Sequence, residues 1–157
     1  MLRTNFIEIR QLDQDDDTAS FIDFAAKLYG GDKGWVPPLR REVKNQLCHR
    51  KNPFFEHAEM ALFTAWNNGR MVGRCSAQID HAHLAIHNDA TGFFGFFDTE
   101  DDPNAARALI DAAGNWCRAR GMTRLRGPFS LCINEEIGVM VEGFEAPSML
   151  LTPYHRP

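Results

Sequence analysis

Three groups of residues in this 157-residue chain carry side chains able to do chemistry. The first is Asp80-His81-Ala82-His83, followed by His87 and Asp89. On a strand, His-x-His places both imidazoles on one face, and a nearby carboxylate could complete a metal-binding set. No second cluster lies at ligand spacing, so a polar surface connection is the favoured reading and no metal is expected. Cys48 beside His49, together with Cys132, forms the second group. A nucleophilic thiol needs an imidazole oriented on it, and adjacency in sequence does not supply that. No pair of the four cysteines makes a C-x-x-C, so all four read as free, reduced thiols. The third group is Glu135-Glu136, just after Asn134. At the start of a short helix two acids complement the helix dipole. A catalytic role for them would need a partner that the sequence does not name.

The elements that must position these groups follow from periodicity and punctuation. Residues 6–12 alternate as a first strand. An aspartate run at 13–17 follows, with Asp17 or Thr18 able to cap a helix that Gly30-Gly31 ends. Trp35-Val36-Pro37-Pro38 is a stiff turn, and Pro38 suits the first position of a helix to about Cys48. Asn52-Pro53-Phe54-Phe55 and Trp35 pack over one end of the sheet or form a lid on a small ligand. Strands at 59–66 and 71–79 flank Asn67-Asn68-Gly69-Arg70, a hairpin signature.

The best-marked unit is 91–127. A strand with Gly92 and Gly95 among four phenylalanines reads as central, buried and bulged. Asp102 then caps a helix with Pro103 at its first position. Its apolar stripe is Ala106, Leu109, Ile110, Ala113, Trp116 and Cys117, and Gly121 closes it. A short strand at 122–126 completes a right-handed crossover. Beyond Gly127-Pro128, Asn134 could cap a short helix through Ile137, and 139–141 could begin a strand.

Composition bounds the function. A chain that is 44% hydrophobic and 24% charged can bury a core and form one domain. A net charge of −4 argues against a nucleic-acid footprint, which needs a basic patch. No apolar run approaches the ~18 residues of a membrane span. No signal-like head is visible, so a cytoplasmic protein is expected.

The element order resembles the GNAT (GCN5-related N-acetyltransferase) fold. This is an α/β (α+β) architecture with a mixed, mostly antiparallel central sheet and helices on both faces. Trp35-Val36-Pro37-Pro38, Asn52-Pro53-Phe54-Phe55, Gly92–Phe97 with Asp101-Asp102-Pro103, Gly127-Pro128-Phe129 and Glu142-Gly143-Phe144 together resemble a bacterial family of GNAT-like proteins. Members of that family continue past a segment like 153–156. The resemblance therefore implies a single GNAT-like domain over 1–157 that is the N-terminal part of a longer two-domain protein, or a shortened relative. A half-protein would expose a sheet edge through which two copies can pair.

The resemblance implies an acyl-CoA-dependent N-acyltransferase, with acetyl-CoA or another acyl-CoA as cosubstrate and a small-molecule amine as acceptor. It places the pantetheine arm beside the bulged strand, at Phe96, Phe97 and Asp98. It matches Asn134 to the Asn that opens the following helix. A neutral His81 or His83 near that slot could take the proton of the amine. No residue stands at Val139 or Val141 to act as the phenolic acid of such enzymes, and Tyr154 is the one phenol downstream. Their phosphate loop is basic and glycine-containing, and its N–H groups hold pyrophosphate at a helix start. Here 99–106 has no glycine, three acids and Pro103. That opens an alternative: a GNAT module without CoA binding, serving a structural or interaction role.

Overall fold

The computed structural model describes residues 6–12, 18–146 and 154–156. Five strands form one sheet in the order β1 (Ile7–Leu12), β2 (Ala58–Asn67), β3 (Arg70–Asp80), β4 (Thr91–Thr99) and β5 (Arg124–Arg126). The first four pair antiparallel, and β4 pairs with β5 in parallel. The helices are α1 (Ala19–Tyr29), α2 (Arg40–Gln46), α3 (His81–His87) and α4 (Pro103–Arg118).

Each element follows from its residues. The β2–β3 hairpin turns on Asn68 and Gly69, at φ +51° and +77°, which is the left-handed pair such a turn demands. Asp102 Oδ1 accepts the Asn104 N–H at 2.9 Å and Pro103 opens α4, as the sequence predicts. Gly121, at φ +85°, turns the chain out toward β5. The buried stripe of α4 is Ala105, Leu109, Ala113, Trp116 and Cys117, so Ile110 and Ala106 lie at its margin. This stripe packs on Phe63, Cys75, Ala77 and Ile79 of the sheet.

The opposite face carries α1 and α2. Phe21, Ile22, Val43 and Leu47 meet Met60 and Leu62 there, and Phe54 joins them from a 3-10 turn at Pro53–Glu56. Asn52 holds that turn, since its Oδ1 accepts from Phe54 N–H at 3.0 Å. Pro38 precedes α2 without entering it, and Leu39 takes the capping position.

Two expectations change. The histidine segment is a helix, α3, whose N-terminus Asp80 caps through the Ala82 and His83 N–H groups. Residues two apart do not share a helix face, so His81 and His83 diverge. The stretch after Gly127 holds neither a helix at Asn134 nor a strand at 139–141. Residues 128–138 form a closed loop, with Phe129 bridged to Ile137 and Ser130 N–H donating to Glu136 O at 2.8 Å. That pinning draws the backbone into turns before a helix can start. The possible Asp17 cap lies outside the described residues, and the Thr18 side chain makes no cap bond.

Candidate functional site

The site begins with an irregularity in β4. Ser76 pairs with Gly95 and Arg74 with Asp98, so Phe96 and Phe97 together oppose Cys75 alone. This is a β-bulge. Phe96 adopts φ +45°, a conformation that bulky residues rarely take. Beyond the Phe93–Arg126 pair, β5 no longer follows β4. The chain's own 127–130 segment enters the gap. Phe129 N–H donates to Phe94 O at 2.6 Å, and Phe96 N–H donates to Ser130 Oγ at 3.1 Å.

A polar stripe of β3 supports that segment from below. Gln78 Nε2 donates to the carbonyls of Phe129 and Leu131 at 2.8 and 3.2 Å, and Ser76 Oγ donates to Gln78 Oε1 at 3.3 Å. Arg74, next along the same face, donates through Nε to Asp98 Oδ2 at 2.7 Å and through Nη1 to Phe21 O at 2.8 Å. Tyr29 of α1 completes the cluster, its hydroxyl donating to Asp98 Oδ1 at 2.7 Å. Burial first, and then the Asp98 charge, raise the Tyr29 pKa far above the ordinary phenol value. The phenol therefore stays a donor.

Arg74, Asp98 and Tyr29 line a cavity of about 330 Å³ between α1, α2, the bulge and the 128–138 loop. That is the size of a small-molecule site. Its apolar wall includes Trp35, Pro37, Pro38 and Val43, and its polar groups include Glu135, Glu136 and His155. Glu135 Oε2 accepts from Gln46 Nε2 at 2.9 Å, and burial raises its pKa. Burial also lowers the His155 pKa, with Asp98 opposing in part. Met140 N–H donates to His155 Nδ1 at 3.3 Å, which places the proton of the neutral ring on Nε2. Residues 154–156 close the cavity beside α1. Arg156 grips both oxygens of Asp32, at 2.6 and 2.8 Å, and donates to Leu28 O at 2.6 Å.

Of the residues singled out from sequence, Phe96, Phe97 and Asp98 line this cavity together. Asn134 is exposed in a turn and does not line it. No histidine of α3 lines it either. His81 Nε2 lies 3.2 Å from Glu59 and His83 Nε2 lies 3.2 Å from Asp89, in separate pairs. Among the described residues no cluster of three or more ligating side chains could hold a metal. Cys75 and Cys117 are buried, and burial pushes the Cys117 thiol up to about 11. His49 stacks on Phe55 at 3.9 Å between ring centres. Tyr154 does reach the cavity wall, where its hydroxyl donates to Asp32 at 3.0 Å. Glu135 and Glu136, singled out in the sequence without a partner, both line the cavity, while Arg74, Tyr29 and His155 were not picked out as site residues. The alternation of Arg74, Ser76 and Gln78 inside a strand flanked by other strands was the available signal.

The far end of β4 has a different character. Glu100 forms an ion pair with Arg70, and Glu100 N–H donates to Val72 O at 2.9 Å. Asp102 already occupies the Asn104 N–H, and Pro103 has none to offer. Carboxylates thus stand where a pyrophosphate would need donors, and these residues do not fit one.

Solved structures share this overall fold. The tandem GNAT protein from the clavulanic acid biosynthesis pathway matches 76% of this chain, and 35% of its own, with a TM-score of 0.60 and 18% identity. The chain has the GNAT fold. An aminoglycoside acetyltransferase from an uncultured soil metagenomic sample, determined with sisomicin, shows the same GNAT fold. Its TM-score is 0.55 at 14% identity, over 77% of this chain and 76% of its own. The aminoglycoside N-acetyltransferase AAC(6')-Iy, in complex with CoA, has a TM-score of 0.54 at 17% identity, over 83% and 81%. By sequence, this GNAT-fold chain is 46% identical over 132 residues to a bacterial ceramide synthase from Caulobacter vibrioides, covering 83% of the chain and 34% of that protein. It is 40% identical over 141 residues to Protein YghO of Escherichia coli, covering 90% and 36%. The chain spans about a third of the length of these two curated relatives. No protein-family model matches it. Among the described residues no helix is long and apolar enough to cross a membrane.

Proposed function

We propose that this chain serves N-acyl transfer, from an acyl thioester such as acyl-CoA to the amine of a small molecule. The observation that carries the reading is the bulge at Phe96–Phe97, set at the edge of an open pocket lined by polar groups. Ser130 already takes the Phe96 N–H, so a thioester would use the β4 backbone beyond it, at Phe97 and Asp98, with the acceptor in the pocket beside it. The relative named a bacterial ceramide synthase supports an acceptor of a particular kind. Ceramide is the amide of a long-chain amino alcohol, and the wall of Trp35, Pro37, Pro38 and Val43 suits an alkyl body. The chain's own residues orient that body, exclude water from the amine, and hold the bulge through the Ser130 and Gln78 hydrogen bonds.

A second reading has its own observation. The carboxylates of Glu100, Asp101 and Asp102 repel a pyrophosphate, which favours a GNAT module that does not hold CoA. Titration calorimetry separates the two. The transfer reading predicts micromolar binding of S-acetyl-pantetheine, and no tighter binding of acetyl-CoA. Replacing Asp101 and Asp102 with Gly should tighten acetyl-CoA about tenfold, or ~1.4 kcal/mol, and leave the pantetheine ester unchanged. Absence of heat from either thioester up to millimolar concentration would leave the second reading standing.

A further inference from the structure

Four carboxylates line the pocket, those of Asp23, Asp98, Glu135 and Glu136, against the guanidiniums of Arg40 and Arg74. Its charge balance therefore suits a cationic guest. Three of the four are already engaged. Asp23 takes Arg40 through both oxygens, at 2.6 and 3.1 Å. Asp98 takes Arg74 and Tyr29, and Glu135 takes Gln46. The Glu136 carboxyl has no hydrogen bond or ion pair with any described residue. Its backbone is nonetheless fixed, since its carbonyl accepts from Ser130 N–H and its neighbour Ile137 bridges Phe129.

We propose that Glu136 receives the ammonium group of an alkylamine acceptor in this pocket and takes its proton. This rests on the N-acyl transfer reading. The carboxylate becomes a carboxylic acid and the ammonium a neutral amine. The amine nitrogen attacks the thioester carbonyl, the C–N bond forms and the C–S bond breaks. The second N–H proton leaves with the thiolate as a thiol, and Glu136 returns its own proton to solvent. Its neighbour Glu135 is held by Gln46 through Oε2, which leaves Glu136 as the pocket carboxylate with no partner among the described residues. His155 already uses Nδ1 to accept the Met140 N–H, and Tyr154 donates to Asp32.

The surroundings of Glu136 tune it for proton transfer. The charged and titratable groups that line the same pocket are Asp98 on β4, Arg74 on β3, Tyr29 and Asp23 on α1, Arg40 on α2, Glu135 on the same loop, and Tyr154 and His155, of which Asp98, Arg74 and Glu135 act on Glu136 directly. Removal of water first, then the charges of Asp98 and Glu135, raise its pKa above the usual carboxylate value, and Arg74 offsets part of this. Glu136 is an exposed residue, so its carboxyl is only partly stripped of water, and the proton has a way out to solvent. A carboxylate whose pKa is raised takes a proton from an ammonium more readily.

The test has two arms on the purified chain. Calorimetry with n-octylamine and n-octanol near neutral pH compares wild type with Glu136→Gln. The amine should bind at least ~10-fold more weakly to the variant, and the alcohol equally to both. In the second arm, acyl transfer is followed against pH. Glu136→Gln should lower kcat by roughly 10²–10⁴ and abolish the fall in rate on the acid side. Glu136→Asp should restore part of the rate, and Glu145→Gln, on an exposed turn, should match wild type. Unfolding curves confirm that each variant is folded. Equal octylamine binding by wild type and Glu136→Gln overturns the assignment, as does a variant that keeps both its rate and its acid limb. If the wild type transfers nothing but binds octylamine through Glu136, the transfer reading falls and the ammonium site stands.

Discussion

Replacing Arg74 with Met should destabilise the protein by about 3–5 kcal/mol, which for a chain of this size lowers Tm by roughly 10 °C. The Arg74 and Asp98 side chains are only 9% and 15% exposed, so the variant strands a carboxylate in the core with one remaining donor, Tyr29. It also removes the donor to Phe21 O, leaving that end of α1 without its tie to the sheet. The loss comes from the orphaned charge, more than from any large net worth of the pair. The double variant Arg74→Met/Asp98→Leu should therefore recover most of it. Denaturant unfolding of the two singles and the double decides this. A loss below about 1 kcal/mol for Arg74→Met would mean that the cluster behaves as a surface pair.

Gly95→Ala should have a comparable effect for a steric reason. A methyl there would fall on the Phe129 carbonyl, whose carbon would lie 2.6 Å away, with Ser130 Cα at 2.8 Å. Those are backbone atoms held by Gln78, by Phe94 O and by the bridge to Ile137, so they cannot rotate aside. Overpacking of this kind costs about 1–3 kcal/mol, and a rigid neighbour puts it at the upper end. The variant should also part the 127–130 segment from β4, and with it the pocket edge next to the bulge. Gly31→Ala, where a methyl meets nothing within 4 Å, is the matched control and should change stability little. If Gly95→Ala unfolds at the wild-type midpoint, the close approach described here is wrong.

Both predictions concern features that the sequence discloses unevenly. The frame was legible because its punctuation is local: Asn68-Gly69 makes the hairpin, Asp102-Pro103 opens α4, and Gly121 ends it. Gly95 among phenylalanines announced the bulge, and Phe96, Phe97 and Asp98 do meet at the pocket. The helix α3 was hidden because it is only seven residues long, and because its cap, Asp80, is also the last residue of β3. Asn134 misled because a good capping residue decides little when both ends of its segment are tied elsewhere. Asp98 and Glu136 stood out singly in the sequence, but their assembly into one charged cluster did not. Tyr29, Arg74, Asp98 and Glu136 come from four separate segments, and only the fold brings them to one pocket. Arg74, Ser76 and Gln78 alternate along β3, and α1 and the 128–138 loop cover the face they share.

The acidic start of α4 is the remaining tension between frame and chemistry. It argues that affinity for a thioester here comes from the β4 end, with the phosphate end contributing repulsion. The most direct test of the whole account is chemical. The chain is incubated with a long-chain amino alcohol and acyl-CoA donors from acetyl to palmitoyl, and the amide is measured by mass spectrometry against a protein-free blank. The account predicts that an N-acyl product accumulates, and that Glu136→Gln reduces it. No amide above the blank with any donor would contradict it.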